Sequence, residues 1–149
     1  MRYIRQEIFK EIGEKGQQKL RKSTIAVVGL GALGSVSASL LARAGIGELI
    51  LIDRDVVELS NLQRQSLFDE SDIGKPKAIC AKEHLNKINS GVEIDFFIDD
   101  LNFNNIHEIF SINKKINNEK YNNKNNKKLK NKINLILDCT DNLETRFLL

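Results

Sequence analysis

Between Thr24 and Asp53 the chain carries a pattern that few folds accommodate. An apolar, β-branched run, Thr24-Ile25-Ala26-Val27-Val28, passes into Gly29-Leu30-Gly31-Ala32-Leu33-Gly34. A segment rich in small residues follows, and then Leu49-Ile50-Leu51-Ile52, closed by Asp53. Short continuous apolar runs read as strands buried on both faces of a sheet. Residues 33–44 read as a helix whose Ser35, Ser37, Ala38, Ser39, Ala42 and Ala44 permit close approach to that sheet, with Gly45 suited to a left-handed cap. Strand, glycine turn, helix and strand in about 30 residues make one βαβ unit.

The rest of the chain extends the alternation. Residues 1–22 read as an amino-terminal arm that packs on something, followed by a short helix over 16–22. Residues 23–149 read as one nucleotide-binding domain. Pro76 opens a helix in which Ala78, Ala81, Leu85 and Ile88 form a core-facing stripe at spacings of three and four. Residues 92–98 read as a third strand, less uniformly apolar and so nearer an edge, 104–110 as a short helix, and 133–139 as a fourth strand. This predicts an α/β, Rossmann-like, doubly wound parallel sheet in the order 3-2-1-4. Leu143 to Leu149 reads as a helix just begun, and such a sheet would continue beyond its fourth strand. The fold is therefore expected to be incomplete at the carboxyl end, as a fragment or a truncated product.

Composition adds limits. At 149 residues and 41% hydrophobic content the chain can bury the core of one domain. The formal charge of +3 is misleading, because 113–134 holds eight lysines against one glutamate and the remainder is mildly acidic. That stretch is roughly three-quarters Asn and Lys, and it is expected to be a disordered loop insert rather than a nucleic-acid arm. No apolar stretch approaches the roughly 20 residues that span a bilayer, and the amino terminus lacks a secretory core, so a cytoplasmic protein is expected, with no membrane partner. Cys80 and Cys139 form no CxxC pair and read as buried, reduced thiols.

Gly29, Gly31 and Gly34 have separable tasks: a tight turn, backbone approach to a phosphate, and close packing of helix on strand. The helix amino terminus after them favours an anion. Asp53 sits where a strand-end carboxylate accepts bonds from ribose hydroxyls. The next segment separates ATP from NAD. Asn61, Arg64, Gln65 and Lys77 offer two cations and two amides near the carboxyl end of the sheet, and Asp141, past the fourth strand, can hold Mg²⁺. Adenylating a carboxylate needs charge neutralisation rather than a base, since the nucleophile is already ionised. Hydride transfer has no use for that set.

With Arg2-Tyr3-Ile4-Arg5-Gln6, Gly16-Gln17-Gln18-Lys19-Leu20, the glycine loop, Leu51-Ile52-Asp53-Arg54-Asp55, Ser60-Asn61-Leu62-Gln63-Arg64-Gln65, Pro76-Lys77-Ala78 and Leu137-Asp138-Cys139-Thr140-Asp141-Asn142 in order, the chain resembles the amino-terminal part of the ThiF/MoeB/HesA family, the bacterial relatives of ubiquitin-activating enzymes. The resemblance implies MgATP-dependent adenylylation of the carboxy-terminal glycine of a ubiquitin-like sulfur carrier, with release of pyrophosphate. It places Ala32 against the nucleotide through its backbone, Asp53 on the ribose, Asn61, Arg64, Gln65 and Lys77 on phosphates, and Asp141 on Mg²⁺. It implies that Arg5 reaches the ATP of a neighbouring subunit, and hence a homodimer. A related branch acts on tRNA, but Asn61-Leu62-Gln63-Arg64 is closer to the sulfur-carrier group. Two other readings stay open: a catalytically incomplete or split half that binds a partner chain, and an NAD-binding dehydrogenase domain. His84 and His107 read as surface residues with no acid at a useful spacing, and Cys139 is not read as a nucleophile.

Overall fold

The computed structural model describes residues 2–110 and 132–149. The Asn/Lys-rich insert lies outside the described residues up to position 131. Its last residue is tied to the first strand: the Thr24 N–H donates to Asn134 Oδ1 at 2.8 Å and the Asn134 N–H to the Thr24 carbonyl at 2.9 Å.

Four parallel strands, β1 (Thr24–Val28), β2 (Glu48–Ile52), β3 (Glu93–Phe97) and β4 (Leu135–Asp138), form one sheet in the order β3-β2-β1-β4. The expected order and the edge position of β3 are both met. β1 and β2 are buried at every residue, because each is hydrogen-bonded on both sides and covered on both faces. Alternation along them splits the core. Ile25, Val27, Leu49 and Leu51 face one side, packed with Ala38 and Ala42 of α3 (Ala32–Ala44) and Ala78, Ala81 and Leu85 of α4 (Lys77–Ile88). Ala26, Val28, Ile50 and Ile52 face the other, with Ile109 of α5 (Ile106–Phe110) and Leu148 of α6 (Leu143–Leu148) packed on that side.

The arm folds into α1 (Ile4–Glu7) and α2 (Gly13–Arg21), and it does pack on something. Gly45, at φ +82°, caps α3 as its sequence position implies, and a Cβ there would lie 2.5 Å from the Tyr3 ring. Gln6 and Gln17 side-chain amides both donate to the Ala44 carbonyl, and Arg2 donates to the Ile88 carbonyl at 3.0 Å. Asn89 donates to the Tyr3 hydroxyl and to the Ala42 carbonyl. The last carbonyls of a helix lack partners of their own, so the arm's amides and guanidinium satisfy the carboxyl ends of α3 and α4. Among the described residues, no helix is long and apolar enough to cross a membrane.

Candidate nucleotide-binding site

At the carboxyl end of the sheet the strands open into a cavity of about 480 Å³. Gly29, at φ +87°, turns the chain out of β1, and a Cβ on it would sit 2.9 Å from the Cys139 carbonyl oxygen. A Cβ on Gly34 would sit 1.9 Å from the Gly29 carbonyl oxygen, so helix and loop can close only over a bare α-carbon. Gly31 differs: nothing lies within 4 Å of where its Cβ would be, and the residue lines the cavity. The fold itself therefore does not require a bare α-carbon at this position. α3 begins at Ala32 with no side chain capping it, leaving its first N–H groups and positive dipole end to the cavity.

Asp53, 9% exposed, is held on both oxygens, by the Leu30 N–H at 2.6 Å and the Asp55 N–H at 2.7 Å. Burial pushes its carboxyl up, against the pull of those two N–H groups and of Lys77. The carboxylate therefore shapes the glycine loop as well as facing the cavity, a second task that the sequence pattern did not reveal.

Lys77, Arg64, Gln65 and Asn61 all line the cavity. Lys77, buried in the first turn of α4, pairs with Asp55 at 3.1 Å. Arg64 is exposed and donates to the Ser60 carbonyl at 2.9 Å. Asn61 spends its Oδ1 on the Glu58 N–H, closing a capping box on the 3₁₀ turn Leu59–Asn61. Gln65 is buried, and its Oε1 has no hydrogen-bond partner among the described residues. A buried polar atom left open costs on the order of 1–3 kcal/mol, and Gln65 lines the cavity.

Asp141 is on the rim, exposed, without a hydrogen bond among the described residues. Just before it, Asp138 accepts from the Thr140 N–H and hydroxyl and from Arg146 Nε, and Arg146 also donates to the Thr140 carbonyl, so the turn presenting Asp141 is fixed. Burial raises the Asp138 carboxyl, but these donors outweigh it and hold it below the usual carboxylate range. One carboxylate on the cavity rim could serve Mg²⁺, which takes few protein ligands and completes its shell with other oxygens and water.

Of the residues picked from sequence, Gly29, Gly31, Ala32, Asp53, Asn61, Arg64, Gln65, Lys77 and Asp141 converge here, and Gly34 supports the loop from behind. Arg5 does not: it lies exposed on α1, away from the cavity lining. Arg54, Asp55, Asp99, Asp100, Leu101 and Thr145 also line the cavity. The rule that ligands bind at the carboxyl ends of parallel strands would have flagged Asp99 and Asp100, just past β3. His84 corrects the sequence reading. Its acid is Asp72, twelve residues earlier and 2.7 Å away, the buried last residue of the 3₁₀ turn Glu70–Asp72.

The ThiF family matches residues 3–149. Over 149 residues the chain is 40% identical to the sulfur carrier protein ThiS adenylyltransferase of Bacillus subtilis, covering 99% of this chain and 38% of that protein. It is 38% identical over 146 residues to the molybdopterin-synthase adenylyltransferase of Haemophilus influenzae, covering 98% of this chain and 52% of that protein. The solved structure of E. coli tRNA N6-threonylcarbamoyladenosine dehydratase superimposes with a TM-score of 0.79 at 26% identity, covering 97% of this chain and 52% of that one. The chain thus spans about half, or less, of the length of these relatives.

Proposed function

The chain belongs to the ThiF family, and from that premise we propose that it supplies the nucleotide half of an enzyme that adenylylates the carboxy-terminal glycine of a ubiquitin-like sulfur carrier. The observation that carries this reading is one cavity holding an open helix amino terminus, the vacancy at Gly31, the strand-end acid Asp53 and the cations Lys77 and Arg64. The adenylyltransferase names of the relatives agree with it.

In this reading Asp53 takes the ribose hydroxyls, and the N–H groups around Gly31 and Ala32 take the α-phosphate. The carrier carboxylate is ionised at neutral pH. One of its oxygens attacks the α-phosphorus, and the bond from that phosphorus to the bridging oxygen breaks, releasing pyrophosphate. Both reactants are anions, so the chain's task is to cancel charge. Lys77 and Arg64 do so, Asn61 and Gln65 fix the phosphates by their amides, and Asp141 would hold Mg²⁺. That ion, when bound, supplies further neutralisation of the β- and γ-phosphates. Arg5, outside the cavity of its own chain, would act on the ATP of a second copy, which makes a homodimer the active form. The cytoplasm is the compartment this chemistry implies.

ATP–pyrophosphate exchange stimulated by a sulfur carrier with a glycine tail tests the proposal. Exchange should be lost in Arg64→Ala and Asp141→Ala. Exchange that survives both substitutions refutes the site assignment. Exchange that needs an added second polypeptide supports a split half, and binding of NADH in place of ATP supports a dehydrogenase domain.

A further inference from the structure

Lys77 is 5% exposed, and an ammonium so far from water needs a fixed partner. Asp55 provides it and is built in to do so. The Asp55 carbonyl accepts the Lys77 N–H at 2.9 Å, the Val57 N–H reaches the Lys75 carbonyl at 2.9 Å, and Val56 pairs with Pro76 as an antiparallel bridge. This clasp closes the base of the 58–74 loop that bears Asn61, Arg64 and Gln65. The Asp55 N–H bonds to Asp53, which in turn holds Leu30, so a hydrogen-bonded line crosses the cavity from the glycine loop to Lys77. Arg54 approaches the other Asp55 oxygen at 3.7 Å while also pairing with Asp100.

We propose that Asp55 is the counter-ion a polyphosphate displaces: it neutralises Lys77 while no nucleotide is bound and yields it to the phosphates of the ligand. The inference rests on the reading of the cavity as an ATP site. Exposure decides which partner moves. The Asp55 side chain is 57% exposed and can turn to water, whereas that of Lys77, at 6%, cannot follow it. Phosphate oxygens make strong charge-assisted bonds to a cation, so the buried ammonium is never bare in either state. Asp55 thereby favours ligands whose phosphates reach Lys77 over a bare nucleoside.

Calorimetry and thermal melting on the full chain, with ATP and with adenosine, test this in Asp55→Asn, Lys77→Met and the double variant. Asp55→Asn should melt lower without nucleotide, bind ATP on the order of tenfold more tightly, and bind adenosine as the wild type does. In the Lys77→Met background, Asp55→Asn should no longer change ATP affinity. Unchanged or weaker ATP binding in Asp55→Asn with adenosine binding intact overturns the exchange, as does an ATP gain that persists without Lys77. A wild-type chain that does not bind ATP overturns the nucleotide reading itself, a separate result. Carboxyl-carbon NMR on the wild type needs no variant to fold: ATP should shift the Asp55 Cγ resonance and adenosine should not. A resonance unmoved by ATP contradicts the proposal.

Discussion

Two glycines three residues apart, changed to alanine, should fail in opposite ways. At Gly34 the added methyl would lie 1.9 Å from the Gly29 carbonyl oxygen and 2.9 Å from its carbon, where real Cβ contacts stay beyond about 3.0 Å. Both atoms are backbone, and Gly29 is itself fixed by its N–H bond to the Ile52 carbonyl at 2.8 Å, so nothing can give cheaply. Gly→Ala inside a helix ordinarily gains about 0.5–1 kcal/mol. Overpacking of this kind costs about 1–3 kcal/mol or more, so the net loss is on the order of 2 kcal/mol. For a domain of this size that lowers the thermal midpoint by about 4–8 °C. At Gly31 the methyl meets nothing within 4 Å, and the extended backbone at φ −69° accepts alanine. Stability should hold within about 0.5 kcal/mol, but the methyl occupies the space a phosphate would take, and ATP affinity should fall at least about tenfold. Melting curves with and without ATP read both effects. If Gly31→Ala melts as low as Gly34→Ala, or binds ATP like the wild type, the division of labour between these glycines is wrong.

Asp138 gives a pH test. Its depressed carboxyl stabilises the fold above the unfolded value near 4, and the contribution is lost as pH falls through the lower folded value. Asp138→Asn should therefore lower the midpoint by about 2–4 °C at pH 7, with the two proteins converging in acid melts once the pH has fallen below the depressed folded value. The cysteines give a chemical test. Burial, with Asp72 beside it, pushes the Cys80 thiol up to about 11, and burial raises Cys139 against a bond to Ser37. Since the thiolate is the reactive form, iodoacetamide at pH 8 should alkylate the buried Cys80 only after denaturation and the half-buried Cys139 slowly. Rapid native-state alkylation of Cys139 would reopen its reading as a nucleophile.

The sheet was legible because β1 and β2 are apolar at nearly every position, a pattern only a doubly covered strand requires, and because Gly29, Gly31 and Gly34 mark where the first strand ends. The cavity-lining set was legible because Asn61, Arg64 and Gln65 follow the second strand within one irregular stretch and Lys77 opens the helix after it. The helical form of residues 4–7 was not, because α1 is only four residues long and none of them is buried. Asp55 was missed as Lys77's partner because their pairing depends on the Val56–Pro76 bridge, a contact across 20 residues with no periodic signature. The same holds for His84 and Asp72, joined only when α4 folds back over the 3₁₀ turn. Asp53's hold on Leu30 likewise needs β1 and β2 in register, with Val28 opposite Ile52. Local pattern shows elements and candidate chemistry, while the partners of charged groups emerge only from packing.

The most direct measurement follows the phosphorus. With ATP labelled at the α-phosphate in one reaction and at the γ-phosphate in another, the protein is mixed with a sulfur carrier ending in glycine and the carrier is isolated under mild acid. The account predicts α-label on the carrier, sensitive to hydroxylamine, and γ-label only in released pyrophosphate. Label arriving on the carrier from the γ-phosphate, or ATP consumed with pyrophosphate released but no α-label on the carrier, would contradict it.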